Sequence, residues 1–221
     1  MGRELPILFN TNMVRAILRE VNYKTTTRRA IKGYIPDDAI FGYTIFTPKG
    51  YISCRGTFAD GYGEKFFKLP CQKGDILYVR ETYCPDYFDF VTQYGSRNAY
   101  KADYDNAVLS SDITEPKWTP SIHMPKEAAR IWLKVTDVRV ERLRDITNEQ
   151  IVGEGAKKAT INHLIKQMPE ETEEYIRTAY LTEWSWLWDS TIKKSDLSIY
   201  GWDANPWVWV IEFERCEKPE G

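Results

Sequence analysis

The chain has 221 residues, with 30 lysines and arginines against 32 aspartates and glutamates, so its formal net charge is −2. This length suits one domain with a large insertion or two small domains, and it allows a substantial buried core. Because the charges nearly cancel, the composition excludes a global basic field and, with it, long-range attraction to duplex nucleic acid.

Membrane, secretion and metal-binding signals are lacking as well. No apolar run approaches the roughly 20 residues of a membrane span, and the first residues lack the apolar core of a signal peptide. Four cysteines form no close pair, and with only His123 and His163 beside them they do not give the spacing of zinc ligands. We therefore expect a cytoplasmic protein with reduced thiols, no membrane contact, no metal and no cofactor.

The N-terminal part predicts a short strand followed by a helix. Residues 7–9 are apolar enough for a strand, and Asn10 or Thr11 then suits the N-cap of a helix. Four apolar residues follow at helical spacing, which predicts one buried helix face; they are Val14, Ile17, Leu18 and Val21.

Residues 24–29 read Lys-Thr-Thr-Thr-Arg-Arg and are the most informative stretch of the chain. A run of β-branched threonines favours a strand, in which Lys24 and Arg28 would point to one side and Thr27 and Arg29 to the other. An irregular turn would instead bring Lys24 and Thr27 together. A lysine near a hydroxyl is one way to make a nucleophile, and two arginines suit an anionic or planar polar ligand. The alternative is a solvated basic edge strand.

The next segments predict a hairpin, a strand and an insertion. Residues 41–46 and 51–58 flank Thr-Pro-Lys-Gly, which is typical of two paired strands with a short loop. A Gly-Asp turn then precedes a strand at residues 76–80. Residues 83–118 are rich in aromatic, aspartate, asparagine and serine side chains, and we interpret them as an insertion.

The second half of the chain has clearer signals. Alternating apolar residues predict a long strand over residues 131–140, with a break in phase near residues 136–137. Thr147 opens a capping box, which predicts a short helix ending at Gly155. A longer helix with one apolar stripe follows Pro169.

The last segment, residues 206–213, is apolar on both faces over most of its length, which is typical of a central strand. Strands of low regularity with helices between them predict an α+β fold. We expect a small barrel or a strongly bent sheet covered by helices.

Four sequence motifs occur in a definite order along the chain. They are Lys-Thr-x-Thr-x-Arg, Gly-Asp-x-Leu-x-Val-Arg, Val-Glu-Arg-Leu and Ile-Thr-x-Glu-x-x-x-x-Glu-Gly, at residues 24–29, 74–80, 140–143 and 146–155. Their order resembles that of the ASCH domains of the PUA-like superfamily. Two more segments, at residues 118–125 and 202–209, are similar to a larger branch carried by phages and prophages, whose members are often labelled phage morphogenetic proteins.

The resemblance implies both a fold and an activity. It implies a single ASCH/PUA-like domain over residues 1–221, with a small mixed β-barrel, covering helices and insertions at about 83–118 and 156–200. The crevice of such a barrel binds a nucleobase, nucleoside or RNA. Small bacterial ASCH enzymes hydrolyse acetylcytidine, removing the acetyl group from the exocyclic amine of the base. Carrying their lysine, threonine and glutamate over by motif gives Lys24, Thr27 and Glu154 as catalytic residues.

The sequence departs from the family pattern near the lysine. Asn22 and Tyr23 stand where a glycine and a basic residue are usual, and Arg28 stands where an apolar residue is common. Amide hydrolysis needs a nucleophile, a proton carrier and a group that holds the oxyanion, and residues of these types are still present. The attacking group is either the Thr27 hydroxyl or an activated water molecule. For Glu154, the alternative is an exposed residue at a helix end.

Five further residues are candidates for binding substrate: Arg28, Arg29, Arg80, Ser121 and His123. Arg80 ends the Gly-Asp strand, where it would grip a phosphate or carbonyl or pair with a neighbouring acid. Ser121 and His123 lie between two prolines, so both side chains could point into one site from a rigid loop. A loop hydrogen bond is the alternative role for His123.

Several functions compete. The first is a hydrolase acting on an acylated nucleobase or nucleoside. The second is a non-catalytic module that binds a nucleotide or RNA, and the third is a ribonuclease of phage origin. A role in virion assembly has no repeat or coiled coil to support it. The expected partner is a small nucleoside or nucleotide ligand, with RNA as the alternative, in the cytoplasm of a bacterial host if the gene is phage-borne.

Overall fold

The computed structural model describes residues 2–89, 94–104 and 116–220, with side chains described outside residues 86–97. The chain divides into two compact units. The first comprises Met1–Lys24, Gly74–Lys134 and Glu214–Gly221, and the second comprises Thr25–Lys73 and Val135–Phe213. Among the described helices, none combines the length and the apolar character that crossing a membrane requires.

The described elements are strands and α-helices in mixed order. In chain order, the strands are β1 (Glu4–Leu8), β2 (Thr26–Ala30), β3 (Ile40–Gly42), β4 (Tyr51–Phe58), β5 (Gly61–Lys68), β6 (Ile76–Arg80), β7 (Tyr83–Asp89), β8 (Tyr94–Tyr100), β9 (Trp132–Arg142) and β10 (Trp207–Cys216). The α-helices are α1 (Thr11–Leu18), α2 (Asn148–Gly153), α3 (Lys158–Lys166), α4 (Glu173–Asp189) and α5 (Leu197–Tyr200). This content confirms the predicted α+β class, and the described strands do not form a closed barrel.

In the first unit, β6 pairs with two strands. It is parallel to β1, with Leu5 opposite Leu77, and antiparallel to the start of β9, with Leu77 opposite Leu133. Helix α1 begins at the predicted cap, where the Asn10 side chain accepts a hydrogen bond of 2.9 Å from the Met13 amide. It ends one turn earlier than predicted, and Val21 is 73% exposed.

The segment interpreted as an insertion contains a hairpin of its own. Strands β7 and β8 pair antiparallel with an irregular register, and two hydrogen bonds join Tyr83 to Thr119. Tyr83 packs with Met124 and Trp132 in a small buried cluster, so the base of the hairpin is part of the core of the first unit.

In the second unit, β2 pairs antiparallel with β10, with Thr27 opposite Ile211. A separate sheet has the order β3-β4-β5. The predicted hairpin is correct for β4, but its first strand spans only Ile40–Gly42 and a longer loop follows. Strand β5 was not predicted, because its residues are mostly exposed and lack an alternating apolar pattern.

The helices of the second unit follow their local signals. Thr147 and Gln150 form the predicted capping box of α2, and Gly155 adopts a positive φ of 97° just after the helix. Helix α4 begins after the N-cap Thr172 and buries Trp184 and Trp188 against a core that includes residues of α2 and β10. Helix α3 was not predicted.

Candidate functional site

Buried polar side chains are concentrated in the segments singled out from the sequence. The described part of the chain contains eight buried polar or charged residues, and five of them come from residues 24–28 and from the end of α2: Lys24, Thr26, Thr27, Arg28 and Glu154. Charged side chains are rarely buried without partners, since desolvation of a charge is costly. This burial contradicts the alternatives of a solvated strand and of an exposed glutamate.

Backbone contacts hold the end of α2 against the start of β2. The Thr25 amide donates a hydrogen bond of 2.8 Å to the Gly153 carbonyl. A Cβ atom at Gly153 would lie 3.1 Å from the Thr25 hydroxyl oxygen, so this approach leaves little room for a larger side chain. Glu154 follows immediately as the C-cap residue of α2. The short helix α2 therefore places the Glu154 carboxylate beside the threonine-rich strand β2.

Arg28 joins this carboxylate to two other acceptors. Its guanidinium donates hydrogen bonds of 3.1 Å to Glu154, 2.8 Å to Glu141 and 3.0 Å to the side-chain oxygen of Gln150. The Arg28 side chain has no exposed surface, and its buried Nε has no hydrogen-bond partner among the described residues. Gln150 therefore takes part in the capping box and also accepts a hydrogen bond from Arg28. Arg28 is oriented by the protein and is not available at the surface.

Glu141 extends the cluster along β9. It also accepts a hydrogen bond of 2.5 Å from Arg139, whose guanidinium bonds Asp137 and Glu212 in addition. Desolvation lowers the pKa of Arg139, but the hydrogen bonds from its guanidinium to these three carboxylates outweigh it and raise the pKa above its ordinary value. The ion-pair network therefore runs from a buried end at Glu154 to a more exposed end at Arg139.

Thr27 and Arg29 belong to the opposite face of β2 from Arg28, because side chains alternate along a strand. Thr27 is buried. Arg29 is exposed over the residue as a whole. Protein atoms around its guanidinium nevertheless lower its pKa through desolvation, an effect that the negative charge of Glu154 partly opposes.

The remaining candidates lie in the first unit. Lys24 is 1% exposed, and its ammonium lies 5.7 Å from the centroid of the Phe9 ring. Arg80 donates a hydrogen bond to the backbone carbonyl of Ile122, while its buried Nε has no partner among the described residues. The structure thus brings Arg80 to the short 3-10 turn Ser121–His123.

The Ser121–His123 turn is largely exposed, with Ser121 half-buried and His123 exposed. Backbone hydrogen bonds hold the turn: the His123 amide donates to the Pro120 carbonyl over 2.9 Å. The side chains of Ser121 and His123 are therefore presented by a fixed backbone, as expected for a loop between prolines.

Sequence analysis did not assign two partners of Arg28. Glu141 lies in the Val-Glu-Arg-Leu motif and Gln150 in the capping box, so both were visible in the sequence but their convergence was not. A second cluster of charged residues, of which only Glu81 is buried, was also not predicted. Arg130 donates to Glu81 and Asp103, with the shortest distances 2.9 and 2.7 Å respectively.

Comparisons with models of protein families, with curated proteins and with solved structures found no match. No group of three or more histidine, cysteine, aspartate or glutamate residues in the described ranges is arranged to hold a metal ion.

Proposed function

We propose that the protein is a hydrolase that removes an acyl group from a modified nucleobase or nucleoside, with a PUA-like domain of the ASCH kind. The observation that carries the proposal is the burial of Lys24, Thr27 and Glu154, the three residue types that the motif order assigned to catalysis. Ionisable side chains are rarely fully buried, and catalytic sites are among the places where they are.

The reaction would add water across an amide. The bond between the acyl carbon and the base nitrogen breaks, the carbon gains a hydroxyl, and the released amine takes a proton. In one version the Thr27 hydroxyl attacks and an acyl-enzyme forms, which water then hydrolyses. In the other version Glu154 or Lys24 activates the water directly.

Arg28 would act on Glu154 and not on the substrate. Its guanidinium compensates the negative charge of that carboxylate and fixes its orientation through a hydrogen bond of 3.1 Å. Glu141 and Gln150 in turn hold the guanidinium in place. Under this proposal Arg28 is a positioning residue. The exposed Arg29 and His123 and the half-buried Arg80 and Ser121 remain candidates for contacting the substrate.

The test is hydrolysis of acetylcytidine and related acylated nucleosides by the purified chain. We expect Glu154→Gln to lower kcat/KM by about 10²–10⁴, the usual contribution of a general acid or base. Glu149→Gln is the matched control, because Glu149 lies on the same helix and is exposed. Lys24→Ala should have an effect similar to that of Glu154→Gln, whereas Glu149→Gln should leave kcat/KM unchanged.

Thr27 separates the two versions of the mechanism. Thr27→Val removes the hydroxyl and keeps the shape, so it abolishes turnover if Thr27 attacks, while Thr27→Ser restores part of it. Turnover that survives Thr27→Val assigns the attack to water. If the folded wild-type chain hydrolyses none of these nucleosides but a nucleoside, nucleotide or short RNA raises its Tm, the binding module is the better description.

A further inference from the structure

The second unit contains a cavity that is lined by none of the residues proposed for catalysis or substrate binding. Its volume is about 380 Å³, within the range of small-molecule sites. The loop after β2, helix α5 and the start of β10 supply its walls, including the aromatic rings of Tyr34, Tyr200 and Trp207. Flat rings on several sides favour a planar occupant, because aromatic groups stack or meet edge to face.

Two cations are held on these rings. The guanidinium of Arg142, which also lines the cavity, lies 4.5 Å from the centroid of a Trp207 ring. The ammonium of Lys32 lies 3.9 Å from the centroid of the Tyr200 ring. A hydrogen bond of 3.0 Å to the Asn205 carbonyl further fixes Arg142. The ring faces restrict both side chains, and the hydrogen bond restricts Arg142 further. The two positive charges are therefore already held in position for a ligand.

Asp37 is the acidic residue that lines the cavity. It accepts a hydrogen bond of 2.7 Å from Arg142, but its side chain is fully exposed. Exposed ion pairs contribute little, so an incoming anion can displace this carboxylate. Arg142 and Asp37 are the charged residues of the lining, and Lys32, on the Tyr200 ring, adds a positive charge beside the cavity. A guanidinium also has five N–H donors, of which two form the described hydrogen bonds.

We infer that this cavity binds a planar aromatic molecule carrying a phosphate or carboxylate group. The ring would lie against Tyr34 and Tyr200, and the anion would take the place of Asp37 on Arg142. The site is separate from the proposed catalytic residues. Ile31 at its wall lies four residues beyond Thr27, which corresponds to about 13 Å along an extended chain.

Calorimetric titration of the full chain with phenyl phosphate tests the inference. Phenol has only the aromatic ring of phenyl phosphate, and inorganic phosphate has only its anionic group. We expect phenyl phosphate to bind more tightly than either. Benzoate distinguishes the two anions: comparable binding indicates a general site for aromatic anions, and weaker binding indicates a preference for phosphate. Phenyl phosphate that binds no better than inorganic phosphate overturns the role of the aromatic walls.

Two pairs of matched variants test the contacts. Arg142→Gln should weaken phenyl phosphate binding by at least about tenfold, the effect of losing a hydrogen bond between charged groups. Arg144→Gln is its control, since Arg144 stacks on Trp202 in the same manner but does not line the cavity. Asp37→Asn should tighten binding by about two- to fivefold, because it removes the competing carboxylate of an exposed pair.

Asp203→Asn is the control for Asp37, because Asp203 is equally exposed and pairs with Arg144 instead. Equal affinities across all four variants overturn the inference. If Arg142→Gln fails to fold, Asp37→Asn still tests whether the anion binds at Arg142, because a fully exposed side chain can be replaced without disturbing the core. Thr27→Val should bind phenyl phosphate as the wild type does, which separates this site from the proposed hydrolase activity.

Discussion

Replacement of Arg28 by methionine should destabilise the second unit far more than replacement of an exposed arginine. Arg28 has no exposed side-chain surface and donates to Glu154, Glu141 and Gln150. Removing one partner of a buried ion pair costs about 3–5 kcal/mol, because the other charge remains buried. For a chain of this length each kcal/mol corresponds to about 2–4 °C, so we expect Tm to fall by about 6–20 °C.

Urea unfolding followed by circular dichroism and by tryptophan fluorescence measures this loss. The two signals must coincide for a single free energy of unfolding to be meaningful. Arg144→Met is the matched control: the pair of Arg144 with Asp203 is exposed, so at most about 1 kcal/mol is expected. A double variant, Arg28→Met with Glu154→Leu, should recover part of the loss, since it removes both buried charges together.

A loss for Arg28→Met no larger than for Arg144→Met would refute this reasoning. Such a result would mean that water or another cation compensates Glu154 when Arg28 is absent. The proposed positioning role of Arg28 would then be withdrawn as well, because a side chain that contributes nothing to the arrangement of Glu154 cannot orient it.

Three further predictions concern other parts of the chain. Burial raises the pKa of Glu81 despite its hydrogen bonds from Arg130. The stability linked to this shift is therefore present below the ordinary pKa of 4.5 and is lost as the pH rises through the pKa of the folded state. Glu81→Gln should flatten this part of the pH dependence of urea unfolding, and an unchanged slope would exclude Glu81 as its source. Burial raises the pKa of both the Cys54 and the Cys216 thiols, but Cys54 is fully buried whereas Cys216 is partly exposed. Mass spectrometry after brief iodoacetamide treatment should therefore find Cys216 labelled before Cys54, and the opposite order would contradict the described burial. Gly155→Ala should lower the free energy of unfolding by about 1 kcal/mol, because φ is positive there; a neutral result in urea would show that the turn relaxes.

Local signals in the sequence predicted the elements that local interactions determine. The cap at Asn10, the capping box at Thr147 and the turn at Gly155 are all present, because each depends on hydrogen bonds or dihedral angles within a few residues. Strand β6 was predicted for the same reason, because Gly74 precedes residues with an alternating pattern. In the structure Gly74 adopts a positive φ of 88°.

Elements that depend on distant partners were predicted less well. Strand β5 has two glycines and no fully buried residue, and it exists because all eight of its residues pair with β4. The N-terminal helix ends before Val21, and the amide of Lys24 instead bonds the Ala16 carbonyl. No periodicity in the sequence encodes either contact.

Sequence patterns alone were enough to predict the α+β class, the caps of α1 and α2, and Lys24, Thr27 and Glu154 as candidate residues. The surroundings of these residues depend on the tertiary structure. Arg28 meets Glu141 and Glu154 across 113 and 126 residues of chain. Periodicity and capping report the conformation of neighbouring residues, whereas burial and ion pairing are set by contacts between segments far apart in sequence. For this reason the sequence could name Arg28 and Glu154 as candidates but could not predict that they form an ion pair.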